Sequence, residues 1–401
     1  MEKRNKDISI IMKPQTRNYD QVYQFLSKGT EFVDKRHCQA LAWMITALLG
    51  SLSLNQNEWE PYVESRAKQA QSYQRRWHRF LSNSRVVIEN IYGSLLRTAI
   101  YSWQNQRIYI ALDTTMLWNK YCMVHLCVVC AGRALPLMWM GLEHPSASVA
   151  FETYKPLLER ALEQLSDFQD VVLLADRGFA NQEFVRWLKK SPWHWLIRVP
   201  CDTAIYGVHK RGFTRQVRQL FPAKGEAKLY HHVQVWEARE ECNLALASMK
   251  GVKEKWGIIA NEPPTLQTFW QYGSRFCIEE LFLDSKSGVF GLEGSQVRNV
   301  AALERLYLVV AIALLFATIT GMAVQRSGVR RQVDTHWRRG LSYLKIGLRW
   351  LKGGVHKDRQ FLPLGELFYH DPEPCFASAK AKKKFLEQFS VERIRTFYYS
   401  T

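Results

Sequence analysis

Apolar and polar residues alternate through RIYIALDTT, residues 107–115, which predicts a buried strand stopping at Asp113. A second run, DVVLLADRG, is short and mostly apolar, the pattern of a buried strand ended by Asp176. Between them, strand-like segments end near Gly132 and Met140, and a helix falls near 151–167. After Asp176 come a helix from Gln182 to Lys190 and the strand HWLIRVP. The order over residues 101–200 is therefore β-β-β-α-β-α, followed by that last strand. Residues 201–254 change to short alternating stretches, KLYHHVQVWEA and NLALASM, broken by Gly and charged turns, which predicts a β-rich insertion. KWGIIANE then predicts a further core strand, and Pro263 and Pro264 suit the first turn of the helix that follows. The first hundred residues read as helices, with apolar periodicity in CQALAWMITALLG.

One apolar run has two readings. From Leu306 to Val324 there are nineteen residues without a charge, close to the length that spans a bilayer. Glu304, Arg305 and Arg326 flank it, and no second span is evident, so the expectation is a helix buried on all sides and no membrane partner.

The chemistry concentrates in QYGSRFCIEELFLDSK, which spaces Tyr272, Arg275, Glu279 and Lys286 as Y-x2-R-x3-E-x6-K. On one regular helix these fall at about 0°, 300°, 340° and 320°, a single face. A carboxylate flanked by two cations and a phenol suits a site that holds a metal ion and a polyanion together. The same residues also read as a solvated face with an i,i+4 ion pair between Arg275 and Glu279. Asp113 and Asp176 are costly to bury without partners at strand ends, where open α/β sheets bind ligands, although Asp is also a common turn residue there. Together with Glu279 they make three hard oxygen ligands of the kind that take Mg²⁺ or Mn²⁺.

Asp113, Asp176 and Glu279, the last inside the Tyr-Arg-Glu-Lys signature, resemble the acid set of DDE transposases of bacterial insertion sequences, in particular the insertion sequence 4 family. LDTT around the first acid, DRGF after the second and RRWHRFLSN at residues 75–83 extend the resemblance from about residue 75 to about residue 350. It implies an α/β fold with a ribonuclease H-like catalytic core interrupted by the β-rich insertion, between helical N- and C-terminal regions. Residues 1–100 would form the N-terminal DNA-binding region, 101–200 and 255–325 the two parts of the core, 201–254 the insertion, and 326–401 a basic helical region that helps pair protomers. The implied activity is metal-dependent cut-and-paste transposition: cleavage at transposon ends through a hairpin, then strand transfer into target DNA. Asp113, Asp176 and Glu279 would hold two Mg²⁺ ions, with Mn²⁺ able to substitute. Tyr272, Arg275 and Lys286 would contact DNA near the cleaved end, and a homodimer would bridge the two inverted ends. In such relatives an aromatic residue of the insertion holds a flipped base; Trp236 and Trp256 are the residues to test here, and each also reads as core. A ribonuclease H-like nuclease or resolvase, and a repurposed transposon-end-binding repressor, are the alternatives.

Composition agrees with a nucleic-acid partner without selecting one. Lys and Arg number 55 against 37 Asp and Glu, a formal charge of +18 that favours polyanions through counterion release. Basic residues cluster from Arg66 to Arg85 and in HWRRGLSYLKIGLRWLKGG, where Arg338, Arg339, Lys345, Arg349 and Lys352 interleave with Trp337, Tyr343 and Trp350. The latter reads as a helix with one cationic and one apolar face, used for phosphate contact or for solvation. A third cluster, Lys382 to Lys384 before FLEQF, reads as peripheral. Eight scattered cysteines and the absence of an apolar segment in MEKRNKDISIIMKPQ lead to the expectation of a reducing cytoplasm, at the nucleoid. Cys127 and Cys130, with Cys122 and His125 nearby, look like half a zinc site, but they fall on a strand whose side chains alternate between faces.

Overall fold

The computed structural model describes residues 14–30, 32–64, 69–208, 214–250, 253–357, 361–376, 380, 383 and 391–399. Arg66 and Lys68 of the basic stretch, and Lys382, Lys384 and FLEQF, lie outside the described residues. The chain begins with α1 (Pro14–Gly29), α2 (Lys35–Ser51), α3 (Ala70–Leu81) and α4 (Ser94–Ala99). Asp34 starts α2 as its N-cap, its carboxylate accepting from the Arg36 amide.

β1 (Arg107–Leu117), β2 (Tyr121–Cys130) and β3 (Arg133–Glu143) make an antiparallel meander. The turn between β2 and β3 is two residues, Ala131 and Gly132, both with positive φ (47° and 76°), the geometry that matches strand twist in tight hairpins. α5 (Phe151–Gln164) then returns the chain to β4 (Asp170–Ala175), which lies parallel to β1, and α6 (Gln182–Lys190) leads to β5 (His194–Arg198), parallel to β4. The β-β-β-α-β-α order is thus present. β1 does not end at Asp113, however. Its parallel pairing with β4 stops at Leu112, while its antiparallel pairing with β2 carries it on to Leu117.

The next strands are β6 (Ala204–Tyr206), β7 (Thr214–Gln216), β8 (Glu226–Val235), β9 (Glu240–Ser248) and β10 (Trp256–Ala260), with the single turn α7 (Val217–Leu220) after β7. They extend one sheet, in the order β3-β2-β1-β4-β5-β10-β9-β8-β6-β7. The last described strand, β11 (Arg393–Tyr398), pairs parallel with β8. β10 is the splice, antiparallel to both β5 and β9, and all five of its residues are buried.

α8 (Gln267–Gly273) and α9 (Cys277–Leu283) precede α10 (Val300–Arg326) and α11 (Tyr343–Lys357). Every residue of α10 from Leu306 to Val324 is buried, enclosed by α2, β3 and α11. Protein therefore covers the surface that could have faced lipid. α10 and α11 touch backbone to backbone: a Cβ at Gly321 would strike the Tyr343 carbonyl, and one at Gly347 the Ala317 carbonyl.

The helix expected over HWRRGLSYLKIGLRWLKGG begins only at Tyr343. From there Lys345, Arg349 and Lys352 are exposed, whereas Leu344, Ile346, Leu348, Trp350 and Leu351 are buried, the anticipated two-faced pattern. Ahead of it, the chain folds around the fully buried carboxylate of Asp334, which accepts from Arg330 (3.0 Å), His336 Nδ1 (2.7 Å) and the Gly340 amide (3.0 Å). Arg339 is buried and grips both oxygens of Asp371 at 2.7 Å, so it serves the fold and is closed to phosphate.

Candidate active site

Parallel registry sets the first two acids side by side. The last β1–β4 pair is Leu112 with Ala175, and Asp113 and Asp176 are the next residue of each strand. β5 continues the row: Ile197 pairs with Ala175, and Arg198 follows. Asp176 caps the short 3₁₀ turn Arg177–Phe179, its Oδ1 accepting from the Gly178 amide at 2.8 Å, which explains DRGF locally. Asp113 accepts from the Thr114 amide at 2.8 Å.

The signature segment is one irregular helical rod. α8 passes through a 3₁₀ turn at Ser274–Phe276 into α9 and ends in a π turn, Asp284–Gly288. Regular 100° spacing does not hold through these changes of pitch, yet Arg275 lies close to both Tyr272 and Glu279, so these three share a side of the rod. The rod starts at Gln267, three residues after Pro264, so neither proline sits in its first turn. Arg275 points at the strand ends: Nη1 donates to Asp113 Oδ2 and Nη2 to Glu279 Oε1, both at 2.9 Å. Its side chain is 6% exposed, that of Asp113 17% and that of Glu279 56%. Tyr272 is fully buried against Trp256, with ring centroids 5.3 Å apart, and offers no surface to solvent. Lys286, on the π turn, pairs instead with Glu293 at 3.4 Å. Trp256 is itself core, and Trp236 is half-buried against a different core cluster; the expectation that either holds a base finds no open ring face at Trp256.

Electrostatics tie the group together. Burial pushes the Asp113 carboxyl up to about 6; Arg275 and the Thr114 amide pull it down, and the charges of Asp176 and Glu279 push it up again. Burial works against the Arg275 charge too, yet Tyr272, Asp113, Glu279 and Asp176 hold its pKa above the ordinary value. Burial raises the Tyr272 phenol to about 12. The donor chemistry therefore fits a hard divalent ion: three carboxylates that feel one another, with one guanidinium between them. The arrangement does not yet gather them. Among the described residues no three acids, histidines or cysteines stand close enough to share one ion, and Arg275 fills the gap between Asp113 and Glu279.

Sequence reasoning missed two cations beside these acids. Arg177 is exposed next to Asp176, and Arg198 ends β5 in an ion pair with Glu254. The rule that marked Asp113 and Asp176, a core strand ending on a charge, also applies to HWLIRVP and would have found Arg198. A second basic feature is a cleft of about 860 Å³ among the N-terminal helices. Arg36, Arg76, Arg79 and Arg85 line it with Tyr19 and Trp43, whose rings stack at 4.0 Å. His37 bonds Asn83 across its wall at 2.8 Å, and its one acid, Asp34, is engaged by Arg36.

Comparison with curated proteins gives no match. Among solved structures the chain is similar to the piggyBac transposase in a cryo-EM synaptic complex with hairpin DNA. The two are 9% identical, the match covers 88% of this chain and 83% of that one, and the TM-score of 0.40 is too low to carry an argument. The family described as transposase DDE domain matches residues 114–316, half of the chain, and this span contains Asp176 and Glu279. The protein belongs to the transposase DDE domain family and is an enzyme of the polynucleotidyl transferase and endonuclease kind.

Proposed function

We propose that the protein is a cut-and-paste transposase of the insertion sequence 4 kind, built on a ribonuclease H-like core. The adjacency of Asp113 and Asp176 in the sheet, with Arg275 linking Asp113 to Glu279, carries this reading. DDE domains work with divalent ions, and here Asp113, Asp176 and Glu279 would hold two, Mg²⁺ or in its place Mn²⁺. Such ions supply a Lewis acid and lower the pKa of a bound water or hydroxyl. The protein's own groups orient the DNA. Arg275, with Arg177 and Arg198 beside the acids, neutralises phosphates at the cleaved end, and Glu279, the most exposed of the three acids, faces the incoming strand. The N-terminal cleft and the exposed Lys345, Arg349 and Lys352 of α11 supply backbone grip away from the reacting phosphate. Tyr272 shapes this site by packing beneath Arg275, and Lys286 joins it only if its bond to Glu293 is exchanged for phosphate.

The full reading includes a homodimer pairing two inverted ends, a hairpin intermediate, strand transfer into target DNA and a place at the nucleoid. Strand-specific cleavage of DNA carrying the gene's flanking sequences, with Mg²⁺ and a Glu279→Gln control, tests it. Metal-dependent nicking at a defined end, abolished in the variant, supports the transposase. Cleavage without end preference indicates a nuclease, and end binding without cleavage a repressor.

A further inference from the structure

We propose that Arg275 is a built-in counter-cation that closes the acid site to metal until a DNA phosphate takes its guanidinium, so that metal and DNA bind as linked events. The inference rests on the DNA-transferase reading of this site and concerns its regulation. Arg275 spends one nitrogen on Asp113 and the other on Glu279, each at 2.9 Å, and these oxygens belong to two of the three prospective ligands. A divalent ion at the same oxygens would face the guanidinium across a short, poorly solvated gap, where like charges repel strongly. One cation has to leave. Arg275 cannot simply be released into the protein: its side chain is 6% exposed, its neighbour Tyr272 offers only a buried phenol, and an unpaired buried charge is costly.

A phosphate resolves this. It offers two oxygens to the guanidinium in the geometry that a carboxylate offers, and it arrives from the solvent side, where Glu279 is 56% exposed. The face of Phe276, 4.8 Å from the guanidinium carbon, keeps the group near the site while its partners change. Each ligand then removes an obstacle to the other, and the coupling must be reciprocal. Without DNA, the acids stay neutralised by the protein's own cation.

The test measures Mn²⁺ binding by electron paramagnetic resonance, with and without a duplex of the flanking sequence protected by phosphorothioate at the cleavage position, on full-length protein. In the wild type, DNA should tighten Mn²⁺ binding by about tenfold or more, and Mn²⁺ should tighten DNA binding by the same factor. Arg275→Gln should bind Mn²⁺ without DNA about tenfold more tightly than the wild type and lose most of the coupling. Arg275→Lys, which keeps the charge but cannot bridge both acids, should fall between; it guards against a glutamine variant that does not fold. Equal or weaker Mn²⁺ binding by DNA-free Arg275→Gln, or undiminished coupling in Arg275→Lys, overturns the lock. Mn²⁺ binding indifferent to Asp176→Asn would instead sink the acid-site reading, and the lock with it.

Discussion

Asp113 and Asp176 each stand one residue beyond the last registered pair of two neighbouring parallel strands, so the sheet itself sets their separation. They differ in commitment. Asp113 is tied to Arg275, whereas the bond from the Gly178 amide to Asp176 is one that an asparagine can also accept. Asp176→Asn should therefore leave the melting temperature within about two degrees of the wild type and lower end cleavage by at least about 100-fold. Parallel thermal melts and cleavage assays separate the two effects.

The contact between α10 and α11 makes Gly321 and Gly347 intolerant of any side chain. Gly347→Ala should cost about 3 kcal/mol or more, because the added carbon meets a backbone carbonyl that cannot move without parting the helices. Gly294→Ala, at a site open on all sides, should be near neutral. Urea unfolding of the two variants decides the point.

Asp334 organises the chain ahead of α11. Burial alone would raise its carboxyl pKa, but hydrogen bonds from His336, Gly340 and Arg330 bring it below the usual range. Its stabilisation is complete above the unfolded value of about 3.8 and fades as pH falls through the lower folded value. Asp334→Ala should cost about 3 kcal/mol at neutral pH, since it removes a buried carboxylate partner of Arg330 and leaves that guanidinium only its longer carboxylate bond to Glu373, and less in strong acid. Denaturation at the two pH values gives the comparison.

His125, opposite Asp113 on β2, is enclosed by Phe282 and Tyr307, and burial pushes its pKa down to about 3. The unfolded chain takes up this proton near pH 6.5 and the folded chain does not, so acidification through that value favours unfolding. The expected loss is about 2 kcal/mol on going from about pH 6.5 to about pH 5. His125→Phe should flatten this part of the stability profile, and an unchanged slope would assign the acid sensitivity to other groups.

If the N-terminal cleft grips DNA, Arg79→Ala should weaken end binding and lower the slope of log affinity against log salt by about one, with little change in base preference. Titrations at several salt concentrations measure both. An unaltered slope would remove Arg79 from the interface.

Local pattern was enough for the central strands, because each carries its own apolar signature and meets a charge where the parallel pairing stops, although β1 itself runs on to Leu117. The row Asp113, Asp176, Arg198 needs only that rule and the parallel order. What local pattern hid was pitch and competition. QYGSRFCIEELFLDSK looks uniformly helical, yet its pitch changes at Ser274 and Asp284, Tyr272 is buried against Trp256 and Lys286 pairs with Glu293, which no residue count shows. Arg339 looked like its exposed neighbour Arg338 because its partner, Asp371, lies 32 residues away. Glu279 illustrates both sides: the i,i+4 bond to Arg275 read from spacing is present, and so is the reach of that same arginine to Asp113, which only the fold reveals.

The burial of α10 between α2 and α11 also sets an order of assembly on the ribosome. Phe25 packs on Phe316, and Arg305 bonds the carbonyl of Leu81, so the first helices find their central support in a segment made some 250 residues after α2. At about 5–20 residues per second, that support arrives roughly 10 to 50 seconds late. In the finished chain Leu41, Ile45 and Leu48 of α2 are fully buried, and α2 packs on α10. The residues lining the basic cleft all lie between Tyr19 and Arg85, so its walls are synthesised well before the α10 helix on which α2 and α3 pack.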